Sequence, residues 1–271
     1  MNYLSIEDVN CLREIAEEVR SAVKPLLGTS DSRRVVGEGF GGDQTLLVDE
    51  AAEEAIIHYL ERHRINCTFI GEERGVQTVG DKPEFFLIAD AVDGTTNATR
   101  GINFVSTSLA VAPKDDLGCI EAAVVMNLCD GETFEAEKGN GARRNGKVIG
   151  TSGTVSLRDA VIGVDVSRSP NSVKTSAPFM QKAKTVRSFG SAALEICYVA
   201  SGRLDAYVDL RGMLRTVDFA AAMLITREAE GIFVQPDGRG FGGYRLSELN
   251  RFSVLAAANE DIYAELVSNI T

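Results

Sequence analysis

The apolar positions of the chain keep two rhythms. Between residues 4 and 27, Ile6, Val9, Leu12, Ile15, Val19, Val23 and Leu26 recur every three or four residues with acids and bases between them. That spacing predicts an amphipathic helix, stopped by Pro25 and Gly28. Residues 28–44 are rich in Gly, Ser and Arg and predict a mobile loop, a candidate lid over a site. A second helix starts near Leu47 or Val48, with Ala52, Ala55, Ile56, Tyr59 and Leu60 as its apolar face.

From there the rhythm shortens. Residues 67–70, 85–88, 104–112, 120–128 and 132–137 read as strands, and Asn145-Gly146 reads as a hairpin turn. Consecutive strands predict an antiparallel sheet packed on the two helices. Near residue 150 the pattern changes to alternating strands and helices. Strands are expected at 160–166, 184–186, 204–210, 232–234 and 252–257. Helices are expected at 192–200, opened by Gly190-Ser191 and closed by Gly202, at 217–230 before Gly231, and at 260–270. The expectation is thus an α+β unit over 1–149 and an α/β unit over 150–271.

The 271 residues are 44% hydrophobic and 25% charged, ordinary globular composition. The net charge of -11 and pI near 4.8 argue against nucleic acid or an anionic membrane as the main partner. They also pose a problem for any phosphate substrate, which local cations must solve. No apolar run reaches transmembrane length, and the first residues lack a basic start and a signal core, so a cytoplasmic protein is expected. The five cysteines are dispersed without a Cys-x-x-Cys pair and read as reduced. Only two histidines, His58 and His63, are present, both in a predicted helix, so a His-based zinc site or a Ser-His-Asp triad is poorly supplied.

The candidate chemistry centres on residues 85–97. An apolar strand ends at Asp90, a second acid follows at Asp93, Gly94 allows a sharp turn, and Thr95 and Thr96 add hydroxyls. Alone this is an ordinary turn. Likewise Asp49 alone is an acid favoured in a first helical turn, and Glu72-Glu73 alone is a solvated loop. Together, Glu72, Asp90, Asp93 and Asp218 make four carboxylates at element ends. Oxygen-only ligands favour Mg²⁺ or Mn²⁺ over zinc. Divalent cations would relieve the crowding of like charges and reverse the sign of the site.

These residues resemble the inositol monophosphatase family of metal-dependent sugar phosphatases. Gly71-Glu72-Glu73 is similar to its Gly-Glu-Glu motif, and residues 90–95 to its Asp-Pro-x-Asp-Gly-Thr motif. Val217-Asp218-Phe219-Ala220-Ala221 is similar to its Trp-Asp-x-Ala-Ala/Gly motif. Ala91 and Val217 depart from the family's Pro and Trp but remove no ligand.

The resemblance implies a layered α-β-α-β-α sandwich and a homodimer. It implies that Glu72, Asp90 and the Val92 carbonyl hold one metal, that Asp90, Asp93 and Asp218 hold a second, and that a weaker third lies near Glu72. Thr95 would bind the attacking water, Asp49 would accept its proton, and the backbone of Gly94 and Thr95 would hold the phosphate. Residues 186–195 resemble the family's substrate segment, which brings in Ala192. Arg187 and the Asp209-Leu210-Arg211 sequence resemble archaeal-type members that accept inositol phosphate and fructose bisphosphate, and arginine forks suit a second phosphate. Arg215 and Arg100 are further candidate contacts. Two rivals stand beside this reading. One is a phosphatase for 3′-phosphoadenosine nucleotides, for which the sequence offers no clear aromatic platform. The other is a non-enzymatic metal-binding regulatory protein of the same fold.

Overall fold

The computed structural model describes residues 9–42 and 44–270; the predicted start of the first helix at residues 4–8 lies outside the described residues. In chain order the elements are α1 (Val9–Val23), β1 (Val35–Glu38), β2 (Gln44–Leu46), α2 (Leu47–Arg62), β3 (Cys67–Gly71), β4 (Gly75–Val79) and β5 (Phe86–Asp93). Next come α3 (Thr95–Arg100), β6 (Ser106–Ala112), β7 (Ala122–Asn127), β8 (Thr133–Glu137), β9 (Ala142–Arg144) and β10 (Lys147–Val148). The remainder is β11 (Val161–Asp165), α4 (Pro170–Lys182), β12 (Thr185–Arg187), α5 (Ala192–Ala200), β13 (Ala206–Arg215), α6 (Thr216–Glu228), β14 (Ile232–Val234), β15 (Arg251–Ala257) and α7 (Glu260–Val267).

An eight-stranded sheet runs β10-β9-β8-β7-β6-β5-β3-β4, antiparallel except for the β3–β5 pair. Side chains alternate across it. Leu87, Ala89, Leu109, Val111, Val124 and Met126 pack in one core with the buried stripe of α1 and with α2. Ile88, Ala110, Ala123 and Val125 pack in another with α5 and α6. Both faces are covered, which is why β5 reads as an unbroken apolar run rather than an alternating one.

The second sheet runs β12-β11-β13-β15-β14. Its residues Tyr207, Val254 and Ala256 join the core around α5 and α6. On its far side Ile162, Val164, Val208 and Leu255 pack with Phe179 of α4 and with Ile262 and Leu266 of α7. The layers are therefore α1/α2, sheet, α5/α6, sheet, α4/α7, the expected α-β-α-β-α sandwich. The middle layer is buried on all sides, and α6 shows it: residues 216–226 are buried without a break, mostly apolar but including Thr216, Asp218 and Thr226.

Some elements differ from the sequence reading. Residues 28–44 hold a short helical turn at Asp31–Arg33 and the strand β1, which pairs with β2 as a hairpin. The Gly-Thr-Thr turn continues into α3, with left-handed glycines, Gly94 (φ 94°) and Gly101 (φ 70°), at its two ends. The helix α4 is unforeseen because its buried face is Ser172, Ser176 and Phe179, a polar stripe by sequence, and because Pro178 lies inside it. Pro170 suits its first turn, and Ser169 accepts from the Ser172 N–H at its start. The Asn145-Gly146 turn is present, with φ of 49° and 75°.

A candidate metal and phosphate site

The acids converge because of where their elements end. β3 and β5 are parallel neighbours whose pairing ends with Gly71 opposite Ala89, so Glu72, just past β3, and Asp90, still paired with Ser108 of β6, follow side by side. Asp218 lies in the first turn of α6, where its Oδ2 accepts the Arg215 N–H at 2.7 Å. One carboxylate oxygen each from Glu72, Asp90 and Asp218 fall within 4.8 Å of one another. Asp93 follows after a register irregularity in the β5–β6 pairing. It turns toward α5, accepting from Ser191 Oγ (2.6 Å), Ala193 N (2.8 Å), Ala192 N (3.3 Å) and Ser106 Oγ (3.3 Å).

Burial and crowding set the electrostatics. Burial pushes the Glu72 carboxyl up to about 8; Arg215 opposes that shift, and Asp218 adds to it. Asp90 is driven well above the usual carboxylate range by burial, then by Glu72, Asp93 and Asp218. Asp93 rises to about 6 through burial, held back by its bonds from Ser191 and the α5 backbone. Oxygen-only donors that repel one another in a partly buried hollow fit a hard divalent cation.

Thr95 and Asp49 are in hydrogen-bond contact. The Thr95 hydroxyl lies 3.0 Å from Asp49 Oδ1 and 3.1 Å from the Val92 carbonyl. Both partners accept, so the hydroxyl gives its proton to one of them and its oxygen can accept from a third group. Asp49 is buried, which lifts its carboxyl to about 7, with Glu73 adding to the rise. Gly94 leaves no room for a side chain. An added Cβ would sit 3.0 Å from the Gly190 carbonyl and 3.2 Å from that of Phe104.

The two proposed specificity arginines are held elsewhere. Arg211 is bidentate on Asp209, its Nε at 3.0 Å and its Nη2 at 2.6 Å, and pairs with Asp165 at 2.8 Å. Arg187 is exposed on β12 and donates to the Val186 carbonyl. The arginine that meets the acids is Arg215, at 2.6 Å from Glu72 and 3.1 Å from Asp218.

Sequence reasoning also missed the supports. Glu53, fully buried, accepts the N–H groups of Glu73 (3.0 Å) and Arg74 (3.1 Å) and so fixes the Glu72 loop. Its signal was its place four residues after Asp49, on the same helix face. Asn97 bonds the carbonyls of Phe104 (2.9 Å) and Phe189 (2.7 Å), tying α3 to the turn before α5. The 35–46 hairpin leans on the same loop: Phe40 N–H donates to the Glu73 carbonyl at 2.8 Å, and Thr45 Oγ donates to the Glu73 carboxylate.

A layered α-β-α-β-α sandwich with three acids converging beside a Thr–Asp pair defines a class of metal-dependent phosphatase folds. The family model for the inositol monophosphatase family matches residues 4–271, and the chain belongs to that family. It is 35% identical to the fructose-1,6-bisphosphatase/inositol-1-monophosphatase of Methanothermobacter thermautotrophicus over 94% of each chain. It is 35% identical to the like-named protein of Archaeoglobus fulgidus over 95% of this chain and 96% of the other. A solved inositol monophosphatase-fructose 1,6-bisphosphatase superposes with a TM-score of 0.83 at 27% identity, covering 96% of this chain and 98% of the other. Among the described residues no helix is long and apolar enough to cross a membrane.

Proposed function

We propose that the protein is a Mg²⁺-dependent phosphomonoesterase, with Mn²⁺ able to replace Mg²⁺, that hydrolyses inositol monophosphate and/or fructose 1,6-bisphosphate. The observation that carries this reading is the meeting of Glu72, Asp90 and Asp218 within 4.8 Å. The names of the relatives point to the substrates.

In this reading Glu72, Asp90, Asp93, Asp218 and the Val92 carbonyl hold the cations. Bound divalent ions supply Lewis acidity to the phosphoryl oxygens and acidify water. The chain's own part is orientation and proton movement. Thr95 accepts a hydrogen bond from the attacking water and passes its own proton toward Asp49, whose raised carboxyl range suits a base working near neutrality. The turn at Gly94 and Thr95 brings backbone close to the phosphate. Ala192 contributes from the start of α5, while Arg187 and Arg211 serve a second phosphate only if Arg211 leaves Asp209. Residues 1–149 supply most of the acids and residues 150–271 supply Asp218 and the substrate-selecting side. Following the resemblance, the protein acts as a cytoplasmic homodimer.

The test is phosphate release from inositol 1-phosphate and fructose 1,6-bisphosphate with Mg²⁺, with Mn²⁺ and with a chelator. Metal-dependent release from at least one ester is expected. No release from either ester with any cation would overturn this substrate assignment.

A further inference from the structure

The turn before α5 is held from several sides. The Phe189 ring stacks on Phe104 with centroids 4.7 Å apart, and the Phe189 carbonyl accepts from Asn97 at 2.7 Å. The N–H groups of Phe189 and Gly190 both donate to one oxygen, Glu195 Oε1, at 2.9 and 3.1 Å. Glu195 belongs to the opening of α5, where its own N–H donates to the Ser191 carbonyl at 3.0 Å. Its side chain therefore folds back over the start of the helix and satisfies two amides that the turn leaves without a ladder partner.

That turn sets where Asp93 finds its donors. Three of the four hydrogen bonds to the Asp93 carboxylate come from the residues that follow directly: Ser191 Oγ, Ala192 N–H and Ala193 N–H. Glu195 thus acts on Asp93 at one remove, through the backbone it holds.

A glycine makes room for the carboxyl. Glu195 Oε2 is buried without a hydrogen-bond partner among the described residues, and a Cβ added to Gly163 of β11 would lie 2.7 Å from it. Gly163 is not one of the left-handed glycines, so its missing side chain serves space rather than backbone freedom. Burial raises the carboxyl to about 8, and Asp165 and Asp93 add to the rise. Near neutrality the uncharged form prevails, so the group takes both bonds without adding to the crowding of negative charge around Asp93.

We infer that Glu195 is a positioning residue of the site: by holding the Phe189 and Gly190 amides it sets Ser191 and the first turn of α5 against Asp93, and so fixes how tightly the acid cluster takes a divalent cation. The inference rests on the metal-dependent reading above and adds to it a buried acid that acts through backbone rather than by ligation.

The experiment compares the wild type with Glu195→Gln, Glu195→Leu and Ile196→Ala. Gln keeps the Oε1 acceptor without charge, and Leu removes the acceptor at similar volume. Ile196 is a fully buried apolar neighbour on α5, so its truncation measures plain loss of packing. Isothermal titration with Mn²⁺, hydrogen exchange over residues 186–193 and phosphate release against Mn²⁺ concentration are read on each protein. Glu195→Leu should bind Mn²⁺ about tenfold more weakly, the low end for losing an outer support of a metal ligand. The Mn²⁺ needed for half-maximal rate should rise in step, and amides 189–193 should exchange faster. Glu195→Gln and Ile196→Ala should keep wild-type affinity, although Ile196→Ala melts lower. Wild-type affinity in Glu195→Leu, or equal weakening in Glu195→Gln or Ile196→Ala, overturns the inference. If Glu195→Leu does not fold, Gly163→Ala takes its place, because its Cβ displaces the carboxyl without removing it, and wild-type affinity there has the same meaning. If the wild type itself binds no Mn²⁺, the metal-dependent reading fails and hydrogen exchange alone decides. Faster exchange at 189–193 in the variant then supports the role of Glu195, and unchanged exchange overturns it.

Discussion

The guanidinium of Arg215 lies 2.6 Å from the Glu72 carboxylate and 3.1 Å from that of Asp218. One side-chain cation thus spans two acids that arrive from different elements, a loop after β3 and the first turn of α6. A divalent ion entering among these acids has to compete with it. Arg215→Gln should therefore bind Mn²⁺ roughly tenfold more tightly, since a unit charge a few ångströms away opposes a second cation even at the screening typical of protein surfaces. Isothermal titration of both proteins with Mn²⁺ measures this. Equal or weaker affinity in the variant would mean that Arg215 organises the acids rather than competing for them.

Removing a carboxylate should separate two kinds of acid. The only bonded partner of the Glu72 side chain among the described residues is Arg215, so Glu72→Gln should fold normally. Its kcat/KM should fall by several kcal/mol of transition-state stabilisation, on the order of a hundredfold or more. Asp93 is different. Four donors, Ser106, Ser191, Ala192 and Ala193, aim at its two oxygens. Asp93→Asn turns an amide group toward donors, so it should lower the melting temperature as well as the rate. Paired thermal melts and phosphate-release assays check this. A Glu72→Gln protein with full Mg²⁺-dependent activity would remove Glu72 from the metal site.

The legible part of the site is the part that strands announce. Asp90 and Asp93 show because an apolar run stops at an acid, and Glu72 and Asp218 show because their neighbours form recognisable motifs. The layers were legible for the same reason: long apolar rhythms survive as buried faces. Pairings across the fold were not. Nothing in the residues around Arg215 says that it will meet Glu72, far away along the chain, rather than a phosphate. Arg211 looked like a free fork until Asp209 and Asp165 took it. The α4 helix hid because serines make its buried face. The exposed edge strand β4 hid because only its ends are buried. Phe40 hid as a lone aromatic in a glycine-rich stretch that looked like loop.

Glu195 makes a pH prediction away from the acid cluster. It is 2% exposed, and its Oε1 accepts the N–H groups of Phe189 (2.9 Å) and Gly190 (3.1 Å). Its Oε2 is buried without a hydrogen-bond partner among the described residues. Burial raises its carboxyl from 4.5 to about 8. The native state therefore binds a proton that the unfolded chain has already released. Stability from this group is full below about pH 4.5 and is lost as pH rises through about 8. Glu195→Gln, a mimic of the protonated form, should flatten that decline. Urea unfolding at pH 5 and pH 8.5 should show a smaller difference for the variant than for the wild type. An equal difference in both proteins would contradict the raised carboxyl.

The last prediction concerns the glycine that precedes the Glu72 loop. A Cβ on Gly71 would overlap the Glu53 carboxylate and come within 2.6 Å of the Phe69 ring. Neither can retreat easily. Phe69 and Glu53 are both fully buried, and Glu53 is bonded to the N–H groups of Glu73 and Arg74. Gly71→Ala should therefore cost about 1–3 kcal/mol of stability, the usual penalty for overpacking a full interior. Because Glu53 holds the loop that presents Glu72, the same change should also weaken Mn²⁺ binding. Gly153→Ala is the control: its added Cβ meets nothing within 4 Å, and the change should be neutral or slightly stabilising through the unfolded chain. Chemical unfolding and metal titration of the two variants decide the matter. Equal stability and equal metal affinity would show that the loop tolerates a side chain, and that Glu53 does not set the position of Glu72.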